Sequence, residues 1–158
     1  MRLLRKWFDL WRPKTQGELA LHEVMQSSPG TTEAIHLEEV GLPNGVVTTI
    51  QWLHSNGAVV ARTCRRNKRT EPYEWNEIDR DEGNYKSLIA SIRELDSTKI
   101  ESVASPIRDG VVYFIAWGDS LNIRSVTFRN PVIGSDQHRL VTLIRSSVGQ
   151  QRIETAGQ

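Results

Sequence analysis

A single cysteine, Cys64, has no partner within the chain, so disulfide stapling is excluded and a reducing, cytoplasmic setting is the natural expectation. No apolar run approaches the roughly 18 residues that a membrane-spanning helix needs. Charge of one sign is missing too: 20 Lys and Arg face 19 Asp and Glu, which leaves a net +1 and no global field to hold nucleic acid. The four histidines, His22, His36, His54 and His138, fall in four separate segments with no pair at metal-ligand spacing, and one cysteine cannot build a zinc site. There is no glycine-rich phosphate loop, no serine elbow and no HExxH helix. Asp79-x-Asp81-x-Gly83 begins like a calcium loop, but its glycine comes one place early and Ala90 stands where the bidentate glutamate belongs. These absences predict a chain with no cofactor, no metal and no enzymatic activity.

What is present is a repeat. Asn44-Gly45-Val46-Val47-Thr48-Thr49-Ile50-Gln51-Trp52 returns as Asp109-Gly110-Val111-Val112-Tyr113-Phe114-Ile115-Ala116-Trp117, with glycine, valines, isoleucine and tryptophan at matching places. Leu88-Ile89-x-x-Ile92-Arg93 is likewise echoed by Leu140-Val141-x-x-Ile144-Arg145. Turn residues separate β-branched runs: Asn44-Gly45 and Asn56-Gly57 suit hairpins because both residue types tolerate positive φ. The spacing of Tyr85, Leu88, Ile89, Ile92 and Leu95 predicts a helix over 84–95 capped by Asn84, and Leu140, Val141, Ile144 and Val148 predict one over 137–148 capped by Asp136, with Gly149 just past its end. The fold class expected is α+β: antiparallel β-hairpins and two helices from a duplicated strand-hairpin-helix unit, the helices packed on one face of the sheet. One domain, residues 33–149, would hold two similar units, 33–96 and 99–149. The second unit would open with a strand at Lys99–Ala104, and Val111–Trp117, apolar on both faces, would lie mid-sheet.

Before this body stands an amphipathic segment, residues 1–13. Leu3, Leu4, Trp7, Phe8 and Trp11 fall on one side of a helical wheel, opposite Arg2, Arg5, Lys6 and Asp9, and Pro13 stops the helix. Such a helix needs a surface: the protein's own core, a partner protein or a lipid interface. Residues 14–32 read as a linker with a short helical patch, and residues 150–158 as a polar, flexible tail.

Local charge contrast carries the functional expectation. The basic run Arg62–Arg69 is answered at once by Glu71, Glu74, Glu77, Asp79, Asp81 and Glu82, which argues against nucleic acid and for a solvated, ion-paired surface. Aromatic and arginine side chains are what protein interfaces use. The sequence is therefore expected to encode a non-catalytic protein-binding module whose partner, another protein, meets Arg65, Arg66, Glu74, Trp75, Glu77 and Asp79. In size, charge and lack of catalytic motif it is similar to small α+β inhibitor or immunity-type partner proteins. One alternative is a peripheral membrane protein held to a membrane surface through Leu3, Leu4, Trp7, Phe8 and Trp11; the other is a small enzyme whose site is assembled only in space.

Overall fold

A computed structural model of the chain describes residues 16–103 and 109–149. In order these form α1 (Gln16–Ser27), β1 (Glu33–Leu42), β2 (Val47–Ser55), β3 (Ala58–Arg66), β4 (Asn76–Ile78), α2 (Glu82–Leu95), a 3-10 turn (Asp96–Thr98), β5 (Gly110–Asp119), β6 (Ile123–Arg129) and α3 (Asp136–Ser147). The six strands make one antiparallel sheet in the order β4-β3-β2-β1-β5-β6. The α+β class expected from the sequence is the class observed.

Alternation along the strands divides the sheet into two unlike faces. One carries Ile35, Leu37, Ile50, Trp52, Ala61, Tyr113, Ile115, Trp117, Val126 and Phe128, and both α2 (Tyr85, Leu88, Ile89, Ile92) and α3 (Leu140, Val141, Ile144) pack on it to form the main core. The other face is polar over much of its area. There α1 lays Leu21 and Val24 against Ala34, Leu53 and Ala116 in a smaller second core.

The repeated stretches meet across β1. Leu37 is flanked by Ile50 on one side and Ile115 on the other, and Ile35 by Trp52 and Trp117. Two strands that flank one central strand at the same register bury these positions in one core, where apolar side chains suit both, whereas the rows of His36, Glu38 and Glu39 carry unlike neighbours: Gln51 and Ala116, Thr49 and Phe114, Thr48 and Tyr113. Both stretches pair with β1, and among the described residues the second has no such strand of its own.

Several expectations change. The middle of the sheet is β1 with β2, not Val111–Trp117, because β1 pairs along one edge with β2 and along the other with β5. Residues 99–103 form no strand: Lys99 is left-handed at φ 55°, and the segment meets β6 through Val103 N–H to the Thr127 carbonyl, Thr127 N–H to Ser102 Oγ and the Arg124 side chain to the Ile100 carbonyl, without a strand ladder. The cap of α2 is Asp81, whose carboxylate accepts from Asn84 N–H at 2.8 Å while the Asn84 side chain accepts from Asp81 N–H at 3.0 Å, so Asn84 is the far half of a capping box. Ser135, not Asp136, caps α3. Residues 16–27, expected as part of a linker, are helical and half-buried on the sheet. Gly17 permits this, since a Cβ there would stand 3.3 Å from the Ile115 carbonyl oxygen. The amphipathic segment 1–13 and the tail 150–158 lie outside the described residues. Among those described, no helix is long and apolar enough to cross a membrane.

Candidate functional site

On the polar face, β1, β2 and β3 place His36, Gln51 and Arg62 in one row by direct cross-strand pairing. Arg62 donates twice to Gln51 Oε1, from Nε at 3.0 Å and from Nη2 at 2.8 Å. That fixes the amide: its oxygen faces Arg62, so its NH₂ faces His36 and donates to Nδ1 at 3.1 Å. Burial, with the nearby Arg66 charge adding to it, lowers the His36 pKa to about 4. The ring is therefore neutral at pH 7, and with Nδ1 accepting it carries its proton on Nε2. Among the described residues Nε2 has no hydrogen-bond partner. The closest acidic atom, Glu38 Oε2, is 4.0 Å away, beyond hydrogen-bond reach, and the same carboxylate is engaged by Arg69. Two further buried polar atoms without partners among the described residues, Thr49 Oγ1 and Arg66 Nε, stand on this face.

The loop from Asn67 to Trp75 closes over this row. Arg66 reaches back to the carbonyls of Arg69 and Glu71 at 2.6 and 3.1 Å, and its guanidinium lies 3.9 Å from the Tyr73 ring centre. Tyr73 stacks on Trp75 at 4.7 Å, and Trp75 lies 4.1 Å from the Arg62 guanidinium. Burial pushes the Tyr73 phenol up and holds the Arg62 guanidinium down. A cavity of about 130 Å³ remains between α1, the sheet and this loop, lined by His36, Gln51, Arg62, Tyr73, Trp75 and the Ala20–Ser27 side of α1.

The residues chosen from the sequence do not form a single patch. Arg65 and Arg66 are neighbours in β3 and so point to opposite faces, Arg65 exposed and Arg66 buried. Trp75 is half-buried against Arg62. Glu77 lies on β4 opposite Arg62, and Glu74 and Asp79 are exposed to either side of it. Leu3, Leu4, Trp7, Phe8 and Trp11 fall outside the described residues. His36, Gln51 and Arg62 were missed because three polar residues in three separate strands join only through register. The available signal was that His36, Glu38 and Glu39 interrupt the apolar residues of one strand.

A second concave surface lies on the opposite side of the molecule. Between α2, α3 and the loop before α3 runs a mostly apolar groove of about 630 Å³, with Leu95 and Leu143 along it and Ile133 at its border. Ile133 is 70% exposed and the adjacent Val132 76%. Several of the polar side chains around it have partners within the protein. Asp136 accepts from Thr98 Oγ1 at 3.1 Å and pairs with Arg139 at 3.7 Å, Thr142 Oγ1 donates to the His138 carbonyl, and His138 Nδ1 accepts from Gly134 N–H.

A third cluster joins β2 to α2. His54 Nε2 is 3.1 Å from Glu82 Oε1, Nδ1 is 3.6 Å from Glu33 Oε2, and the ring stacks on Tyr85 at 4.8 Å. The His54 hydrogen bond, helped by Lys86, pulls the Glu82 carboxyl below its usual range. Burial, then Glu33, raises the Tyr85 phenol. These contacts tie the helix start to the hairpin and open on none of the cavities described above. Among the described residues no three His, Cys, Asp or Glu side chains are gathered to hold a metal ion. Comparison of the chain with protein-family models, with curated proteins and with solved structures finds no match in any of the three.

Proposed function

We propose that this protein is a non-catalytic protein-binding module, and that its partner lays an apolar segment into the groove between α2 and α3. The observation that carries this reading is the groove itself, a mostly apolar channel of about 630 Å³ bordered by the exposed Ile133. Thr98, Asp136, His138, Arg139 and Thr142 on its rim already have partners within the protein, so an occupant is selected more by apolar contact and shape than by polar recognition. A row of apolar side chains at helical spacing, lying between two helices, meets both demands. The rim carries Glu94 and Asp136 beside Arg139 and His138, a mixture that suits a protein surface better than an anionic lipid.

The test is site-specific photo-crosslinking in cells that express the protein, with the photoreactive residue at Ile133 or, as comparison, at Glu77 on the β4 edge. One adduct of defined mass from position 133, abolished by Thr142→Trp in the groove wall, is expected. Adducts from position 77 alone, from both positions alike, or from neither would remove the groove as the docking surface.

A further inference from the structure

We propose that the cavity beneath Tyr73 and Trp75 is a binding site for a carboxylate on a short aliphatic or single-ring stem, with Arg62 and the Nε2–H of His36 as its donors. This rests on the polar face alone and is independent of the groove between α2 and α3.

The argument begins with hydrogen-bond accounting in the cavity wall. His36 is 1% exposed, and its Nε2–H has no acceptor among the described residues. Arg62 donates through Nε and Nη2 to Gln51, which leaves Nη1. Trp75 brings an indole N–H and Tyr73 a phenol O–H. The carboxylate among the lining side chains is that of Glu23, which is exposed, as is Glu77 across from Arg62, so both remain solvated. Donors thus exceed acceptors where water is least available, and a buried donor left without an acceptor is destabilising. Behind the wall Arg66 adds a buried positive charge: it is 6% exposed, it donates to backbone carbonyls, and its Nε has no partner among the described residues. An incoming group that supplies two acceptor oxygens and one negative charge answers both deficits. Glu38, the nearest buried carboxylate, is neutralised by Arg69.

Size and wall chemistry set the stem. At about 130 Å³ the cavity is slightly smaller than the roughly 150 Å³ cavity that accommodates one benzene in an engineered core. Ala20, Val24 and Trp75 supply apolar contact for a short chain or one ring. A free small acid and an acidic side chain of a bound polypeptide present the same chemistry, and different probes separate the two sources.

The experiment follows the indole N–H resonance of Trp75, assigned with Trp75→Phe, in the intact protein at constant ionic strength. Sodium propionate, sodium benzoate and N-acetyl-glutamate amide are titrated separately, with sodium chloride as control. A saturable shift with Kd of about 1 mM is expected for at least one probe, as suits so few ligand atoms. Arg62→Gln, at a half-exposed position, should weaken it at least tenfold while the melting temperature shows that the variant is folded. His36→Gln should do the same, and if that variant does not fold, the imidazole ¹⁵N shifts of His36 in the wild-type protein must move with the same Kd. Saturation by propionate or benzoate indicates a free acid; saturation by the glutamate derivative alone indicates a peptide-borne one. No saturation with any probe, or equal saturation in Arg62→Gln, overturns the proposal.

Discussion

Glu39 sits on the helix-covered face of the central strand, between Thr48 and Tyr113, and meets the Arg145 guanidinium of α3 through both carboxylate oxygens. Both side chains are nearly enclosed, 6% and 12% exposed, so each charge depends on the other for solvation. Arg145→Met should therefore destabilise the protein by about 3–5 kcal/mol, because it leaves Glu39 buried and unpaired. The double variant Glu39→Met/Arg145→Met should regain most of that loss, which urea unfolding of the four proteins measures. On the other face, burial sets the behaviour of His36. Its folded pKa of about 4 lies below the 6.5 of the free side chain, so between these values the unfolded chain takes up a proton that the native state refuses. Stability from this residue is complete above pH 6.5 and falls as the pH drops towards 4, by a total on the order of 3 kcal/mol. The wild-type protein should lose that much more stability than His36→Gln between pH 7 and pH 4 in urea unfolding. Equal losses in both proteins would contradict the assignment.

At the scale of the element, α1 depends on a glycine. With the Ile115 carbonyl 3.3 Å and the Ala116 Cβ 3.4 Å from where a Gly17 Cβ would stand, Gly17→Leu must lift the helix off β5 at a cost of about 1–3 kcal/mol. Amide exchange should show α1 losing protection before the sheet does, whereas Leu19→Ala, at a position 54% exposed, should change little. This helix also marks how far the sequence could be read. The stripes of α2 and α3 were legible because five or four apolar residues recur at helical spacing. The hairpin turns were legible because Asn56 (φ 26°) and Gly57 (φ 83°) adopt the positive angles that their types allow. In α1 the buried residues are Gly17, Glu18, Leu21 and Val24, two of them apolar side chains, too thin a pattern to separate a docked helix from a tether. The site row was illegible for a related reason: His36, Gln51 and Arg62 are brought together by the pairing of β1 with β2 and of β2 with β3, and no local pattern encodes the register of distant strands. Val111–Trp117 drew attention as the apolar centre, yet position in a sheet follows from pairing. β1 holds the centre by pairing along both edges, and its His36, Glu38 and Glu39 are met there by Gln51, Arg69 and Arg145.

For the molecule as a whole, β1 is the seam between the two halves of the chain. Its one edge pairs with β2 from Glu33 to Val40, its other with β5 from Glu33 to Leu42, and the main core above it takes side chains from both halves. Residues up to 103 alone would leave the β5-facing edge of β1 unpaired, Ile35 and Leu37 half-covered, and the α2 stripe without Leu140 and Ile144 beside it. An exposed edge next to uncovered isoleucine and leucine favours intermolecular strand pairing. The second half alone retains one hairpin and one helix, too little to bury a core. Expressed separately, fragments 1–105 and 106–158 should each lack a cooperative melt and the first should aggregate, while co-expression should return a soluble complex with a single unfolding transition. An independently folded, monomeric first fragment would show instead that residues 1–105 close their own core. The shared strand would then be a surface on which the second half docks, and the matched registers of Ile50 with Ile115 and Trp52 with Trp117 would belong to an interface instead of to one folding unit.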